Sequence, residues 1–223
     1  MSVSRETFAP LLAALAAEPD PHTTVSDPEA ALEVHVADSL SGLEVPALAS
    51  ARRIADIGAG AGFPGLVLAI ALPRAQVDLI ESVGRKTAVM DRLIQAAEVG
   101  NARSITARVE DYAGVPAAVG GGREAYDAVT ARAVGSIALV VEYAAPLLRL
   151  DGILVAWKGA RDEAEEGAGA VAAEKVGMAV KEVLPVTPYP GSKRRHLHVY
   201  RKIAPTPPEF PRRAGMARKR PLA

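Results

Sequence analysis

The chain has no cysteine, one tryptophan and four histidines, and only 4% of its 223 residues are aromatic. Without thiols it can form no disulfide, no thiolate zinc site and no iron–sulfur ligation, and it has no cysteine nucleophile. None of the histidines falls in a metal-ligand spacing such as H-E-x-x-H, and no metal is expected. His196 and His198 alternate on what reads as a strand with a wet face. Long apolar runs are also missing. Residues 66–72 and 137–148 are broken by charge or proline well short of the ~18 residues that suggest a membrane span. The N-terminus shows no basic segment leading into an apolar one, so no secretory signal is read there. A cytoplasmic protein without a membrane partner is expected.

Charge of one sign is not in excess: 26 basic residues face 26 acidic ones. Their distribution is uneven. Residues 193–223 hold ten Lys/Arg and one acid, Glu209, leaving 16 basic and 25 acidic residues in 1–192. The body is thus −9 and the C-terminal segment +9. A basic arm on an acidic body suggests a polyanionic partner such as nucleic acid. A solvated tail that contacts nothing is the alternative reading. With 49% hydrophobic residues, the chain can bury a proper core in one domain.

Apolar periodicity predicts a short helix over 4–17, with Phe8, Leu11, Leu12 and Leu15 on one face. A second helix is predicted from a Ser26–Asp27 cap and Pro28 to about Gly42. From residue 46 onward strands alternate with helices: 52–57 then 65–72, 76–81 then 85–98, 103–108, 126–131 then 137–148, and 152–157 then 161–176. Gly100 stands where a helix C-cap is expected. The last two segments, 180–186 and 196–202, follow one another as a hairpin. Such alternation implies a mostly parallel seven-stranded sheet covered on both faces, with an antiparallel C-terminal strand. The predicted α/β organisation is a single domain over 1–203, comprising an N-terminal helical cap (1–45) and a Rossmann-like core (46–203). Residues 204–223, proline-rich and basic, are predicted to be extended rather than packed.

The most informative stretch is Ile54-Ala-Asp-Ile-Gly-Ala-Gly-Ala-Gly-Phe-Pro-Gly65, between a strand and a helix. Its glycines permit a tight turn close to a ligand, and the helix N-terminus offers free N–H groups. Gly60, Gly62 and Gly65 match the dinucleotide pattern G-x-G-x-x-G, with Glu81 downstream for a ribose. Asp56, two residues before Gly58, instead completes the acid–x–G–x–G–x–G loop of S-adenosylmethionine sites. Charge separates the two. A pyrophosphate is disfavoured near a carboxylate, whereas a sulfonium and an ammonium are favoured. Glu81 ends the second strand, where a carboxylate can accept from ribose hydroxyls. Val109 and Glu110 follow the third strand, where an adenine would lie. Agreement at three strand ends makes S-adenosylmethionine the expected cofactor.

Further landmarks are His35-Val-Ala-Asp38-Ser39, Ser82-Val-Gly-Arg-Lys86, Arg108-Val-Glu110, Ala131-Arg132-Ala133, Trp157-Lys158-Gly159, Arg195-His196 and Pro211-Arg-Arg-Ala-Gly-Met216. With the glycine loop, these resemble the bacterial 16S ribosomal RNA guanine-N7 methyltransferases, once called glucose-inhibited division protein B, over nearly the whole chain. The resemblance implies a Rossmann-like class I methyltransferase that modifies a guanine in the decoding-region loop of the small ribosomal subunit. It implies cofactor contacts at Gly58, Phe63, Val109, Glu110 and Arg132, with Gly60, Gly62 and Glu81 as neighbours. No obligate protein partner is inferred.

Guanine N7 carries a lone pair and no proton, so its methylation needs positioning rather than a general base. Thr130-Ala-Arg-Ala-Val134 replaces the Asn/Asp-Pro-Pro-aromatic loop expected of exocyclic adenine methylation. Arg132 is the residue expected nearest the reacting groups, holding either the cofactor carboxylate or guanine O6. His35 and Asp38, at i and i+3 on one helix face, are candidates to receive RNA. So are Lys158, Arg195, Arg212 and Arg213. Deleting 205–223 is expected to weaken RNA binding and spare the cofactor. Competing readings are a methyltransferase acting on a small molecule or protein, a nicotinamide-dependent oxidoreductase and a nonenzymatic RNA binder.

Overall fold

The computed structural model describes residues 4–223. Helices α1 (Ala9–Ala17), α2 (Pro28–Ala31), α3 (Asp38–Leu40) and α4 (Pro46–Ala49) precede the sheet. The core then runs β1 (Arg53–Ile57), α5 (Gly65–Ala71), β2 (Gln76–Glu81), α6 (Gly84–Ala96), β3 (Ala102–Thr106), α7 (Val109–Gly114) and β4 (Tyr126–Arg132). It continues with α8 (Ile137–Ala144), β5 (Leu148–Lys158), α9 (Glu163–Lys175), β6 (Met178–Val186), β7 (Arg195–Lys202) and a short α10 (Met216–Lys219).

The sheet order is β3-β2-β1-β4-β5-β7-β6. Neighbours among β1–β5 pair parallel, and β7 runs antiparallel to both β5 and β6. This is the mostly parallel, doubly wound arrangement predicted from the alternation of strands and helices. Strand order reverses between β1 and β4, and ligands gather at the carboxyl ends beside such a switch point.

Both faces of the sheet are buried because successive residues alternate sides. Ile54 and Val155 point into a core shared with Phe8, Leu11, Leu15, Leu66 and Leu68. Ala55 and Leu154 point into the opposite core, with Val141, Ala172, Tyr200 and Phe210. Each fully buried large apolar side chain contributes about 1.5–3 kcal/mol, so neither layer is dispensable.

Several local expectations are corrected. The helix predicted over 26–42 is not uniform. Asp27 caps it by accepting from Ala30 N–H at 3.0 Å, but Leu32–Ala37 winds as a π-helix between α2 and α3. The turn after α6 is made by Glu98 at φ +51 rather than by Gly100. The helix predicted to reach 148 stops at Ala144, and Leu148 already belongs to β5.

The largest correction concerns the tail. Residues 204–223 are packed, although their composition predicts an extended arm. Phe210 and Ala217 are buried. Arg212 makes a two-pronged ion pair with Glu142, which is only 3% exposed, at 2.7 and 2.6 Å. Lys202, fully buried, donates to Thr206. Sequence periodicity could not reveal these partners, because Arg212 and Glu142 lie 70 residues apart.

Candidate functional site: the carboxyl edge of the sheet

The glycine loop is held from below by Asp56. This carboxylate is completely buried, accepting from Gly65 N–H at 2.9 Å and from the Thr130 hydroxyl at 2.8 Å. Burial pushes its pKa up to about 6, against the lowering pull of those two hydrogen bonds and of Arg132. Asp56 therefore pins the strand to the helix that follows and does not face a ligand, a correction to its reading as a field for a cation.

Two glycines show why no side chain fits here. Gly58 has φ +62, and a Cβ there would stand 2.9 Å from Val134 Cγ2. Gly65 packs so closely that a Cβ would collide with Leu79 and approach Asp56 Oδ2 to 2.8 Å. Gly62 serves the turn rather than a ligand: its missing Cβ would point at Leu66.

Above the loop lies a groove of about 560 Å³, within the range of small-molecule sites. Gly58, Glu81, Val109 and Glu110 line it, joined by Tyr143 and the tail residues Arg218 and Lys219. Glu81 Oε2 accepts from Gly60 N–H at 3.3 Å and Oε1 from Val83 N–H at 3.0 Å. Lys86 Nζ stands 3.8 Å away. A carboxylate offers about four lone-pair sites, so Glu81 keeps capacity toward the groove. Glu110 Oε1 accepts from Gly215 N–H at 2.7 Å, which joins the tail to the groove wall. Burial, with Glu110 beside it, pushes the Tyr143 hydroxyl up to about 12, so it remains a neutral donor at neutral pH. Tyr143, Arg218 and Lys219 were not legible beforehand. Tyr143 hides in an apolar helix, and the two basic residues reach the groove only because the tail packs.

The end of β4 separates this groove from a second cleft of about 230 Å³. Ala133 and Val134 line both. Ala133 adopts φ +59, a left-handed conformation that costs a non-glycine residue about 1–3 kcal/mol. The strain falls where the two hollows meet. Trp157, Lys158, Asp38, Arg132 and Arg195 line the cleft's other sides.

Arg132 does reach this junction, but it is engaged. Its Nη1 donates to Asp38 Oδ2 at 2.8 Å and to Val34 O at 3.3 Å, and its Nη2 donates to His35 Nδ1 at 3.3 Å. Its guanidinium lies 5.8 Å from the Phe63 ring centre. His35 stacks on Phe63 at 4.5 Å, and its Nε2–H has Val25 O at 2.9 Å as acceptor. These partners fix the Nε2–H tautomer. Burial, reinforced by Arg132, lowers the His35 pKa, so the ring stays neutral and accepts from Arg132. His35 and Asp38 thus bind the N-terminal segment to the sheet edge.

The remaining candidates divide. Lys158 Nζ is paired with Glu165 at 2.6 Å, and Arg212 is committed to Glu142. The reading of Arg212 as an RNA contact gives way to an anchoring one. Arg213 is exposed, as are Arg218, Lys219 and Arg220. Among the described residues no helix is long and apolar enough to cross a membrane, and no cluster of metal-binding side chains occurs.

A family model described as rRNA small subunit methyltransferase G matches residues 16–197. The ribosomal RNA small subunit methyltransferase G of Rubrobacter xylanophilus is 41% identical over 199 residues, 88% of this chain and 75% of that protein. Its namesake from Roseiflexus castenholzii is 39% identical over 204 residues, covering 90% and 83%. Among solved structures, an O-methyltransferase family protein from Burkholderia thailandensis superposes with a TM-score of 0.57 at 14% identity, covering 75% of this chain and 55% of that one. That last likeness speaks to the fold alone, which is that of class I methyltransferases. The sequence matches, spanning most of the chain, say more: this chain belongs to the rRNA small subunit methyltransferase G family.

Proposed function

We propose that this chain transfers a methyl group from S-adenosylmethionine to N7 of a guanine in the decoding-region loop of 16S ribosomal RNA. The observation that carries this reading is the shared wall at Ala133–Val134: a cofactor-sized groove and a smaller cleft meet at the tip of β4. The groove residues suit the donor. Glu81 stands at a strand tip with acceptor capacity for ribose hydroxyls. Gly58 and Gly60 keep the loop free of side chains, and Val109 with Glu110 offers an apolar surface and a carboxylate for the adenine.

When bound, the donor supplies a methyl on a sulfonium; the carbon–sulfur bond breaks with its electron pair kept by sulfur, while the N7 lone pair forms the new bond. The base gains the positive charge and no proton moves. The chain's task is therefore to align and to exclude water. The nearby histidine supports this, since His35 is neutral and held on both nitrogens. Exposed Arg213, Arg218, Lys219 and Arg220 supply attraction for phosphates that depends on salt. The partner is accordingly the small ribosomal subunit or its RNA, and the place of action the cytoplasm.

Nucleoside mass spectrometry of small-subunit rRNA tests the reading. Cells lacking the gene should lose one N7-methylguanosine and regain it with the wild-type chain. The Glu81→Ala chain should restore little of it and bind S-adenosylmethionine roughly 10- to 100-fold more weakly by calorimetry, as expected for losing charge-assisted hydrogen bonds. Methyl arriving on another atom, or on protein, overturns the proposal.

A further inference from the structure

Asp38 is more buried than an idle carboxylate should be, at 5% exposure. Its Oδ2 takes Arg132, and its backbone oxygen takes the Trp157 indole N–H at 2.8 Å. Its Oδ1 is buried without a hydrogen bond. The neighbouring cation, Arg195, stands 4.0 Å from it, an ion pair beyond hydrogen-bond reach. Among the described residues, Ser192 Oγ and His198 Nδ1 are the other buried side-chain atoms in this state. Neither residue lines the groove or the cleft. A buried acceptor without a donor is costly, and more so when charged. This oxygen is covered as the structure stands, with Arg195 the nearest cation, so a donor arriving with a ligand in the adjoining cleft reaches it once Arg195 moves aside.

We propose that Asp38 Oδ1 accepts from N1–H and N2–H of the target guanine, seated in the cleft against Trp157 with its N7 toward the Ala133–Val134 wall. The assignment rests on the guanine-N7 reading above and names what selects the base. The cleft holds roughly eight waters' volume at ~30 Å³ each, a scale suited to one flat heterocycle and not to a paired helix. This fits RNA readers, which take unstacked bases and read their Watson–Crick edge.

The chemistry favours guanine over its rivals. Guanine alone among the four bases sets two donors side by side on that edge. Adenine would turn a lone pair at N1 against the carboxylate, and cytosine would do so at N3. Uracil offers a single N–H between two carbonyls. Rejection by an unpaired or repelled group discriminates more strongly than the loss of a contact. Guanine O6, next to N1, is an acceptor, and the cleft supplies Arg132 and Arg195 as donors. Arg195, its side chain 41% exposed, can swing aside to admit the base.

The same carboxylate acts on the rate. Charge leaving the sulfonium arrives on the base, where it makes N1–H and N2–H stronger donors. Their bonds to Asp38 therefore tighten as the methyl moves, which is stabilisation of the transition state over the ground state.

The test measures kcat/KM on RNA fragments carrying guanosine, inosine or N1-methylguanosine at the methylated position, after that position is mapped by mass spectrometry. Inosine keeps N7, O6 and N1–H and lacks only the N2 amine. The wild-type chain should reject inosine by about 10- to 100-fold, and N1-methylguanosine by at least as much. In Asp38→Asn the guanosine-to-inosine ratio should shrink to within about threefold. This ratio is taken within each enzyme, so the fraction folded and the cofactor affinity cancel. A wild-type ratio near one, or an undiminished ratio in Asp38→Asn, overturns the assignment. Should the variant fail to fold, the two analogues on the wild-type chain decide. If guanosine itself gains no N7 methyl, the broader reading fails and this assignment falls with it.

Discussion

The glycyl turn after β1 and the C-terminal tail close the same groove by opposite means. The turn is shaped by backbone. Glycines at 58 and 65 admit contacts that a Cβ would block, and Asp56 locks the turn from inside the core. The tail is fastened by side chains, through the Arg212–Glu142 pair, the Phe210 anchor and a single N–H to Glu110. The turn's motif is written within a dozen residues, even though Leu79, Thr130 and Val134 pack against it, whereas the tail shows no local motif and is held by partners 70 and 105 residues upstream. A basic composition therefore does not make a free arm. Part of the charge holds the segment down, and the remainder stays exposed to act on a partner.

Removing residues 205–223 should have the largest effect. It uncovers the surface beneath Phe210, leaves Glu142 without its arginine and deprives Glu110 of Gly215. Stability should fall by roughly 4 kcal/mol in urea unfolding, and cofactor affinity should fall about tenfold. This reverses the expectation, drawn from composition, that the cofactor is spared; unchanged affinity would return the tail to the status of an appendage.

Gly65→Ala asks the same of the turn. Overpacking against Leu79 and Asp56 should cost about 3 kcal/mol, read as a melting temperature lower by roughly 6–12 °C. A variant as stable as the wild type would mean the turn yields as readily as a side-chain clamp.

A smaller effect sharpens the contrast through pH. Asp56 holds its proton more tightly folded than unfolded, with its pKa raised from 3.8 to about 6. Its stabilising contribution is therefore complete below pH 3.8 and is lost as pH rises through 6. Between pH 4 and 6 the wild type should lose about 2 kcal/mol relative to Asp56→Asn. Asparagine can still accept from Gly65 and donate to Thr130. Parallel denaturation curves for the two proteins across that range would show Asp56 to be ionised throughout.

The sheet, its order of strands and helices and the final hairpin were legible because buried strands and amphipathic helices print their periods locally. The strand-tip acids were legible for the same reason: Glu81 and Glu110 stand at fixed offsets from the strands that present them. The part played by Asp56 was not, since a motif names a carboxylate without saying which way it points. Nor was the engagement of Arg132, whose partners His35 and Asp38 come from a π-wound segment and the start of α3, almost a hundred residues earlier. The helix α7, which lifts Val109 and Glu110 to the groove, is too short to print a period.

The reversal of β7 has a geometric consequence. His196 pairs with Lys158 at the ligand-bearing rim, and Arg201 pairs with Ile153 farther down, so the chain leaves the sheet at the floor of the domain. To bring Gly215 back beside Glu110 it must climb the full height of the strands. A seven-residue strand such as β4 rises roughly 23 Å at ~3.3 Å per residue, and the dozen residues from 203 to 214 can reach about 40 Å when fully stretched. The reach exceeds the climb, which leaves length for the detour that buries Phe210. The length of this return path, as much as its charge, sets whether the last arginines arrive at the rim.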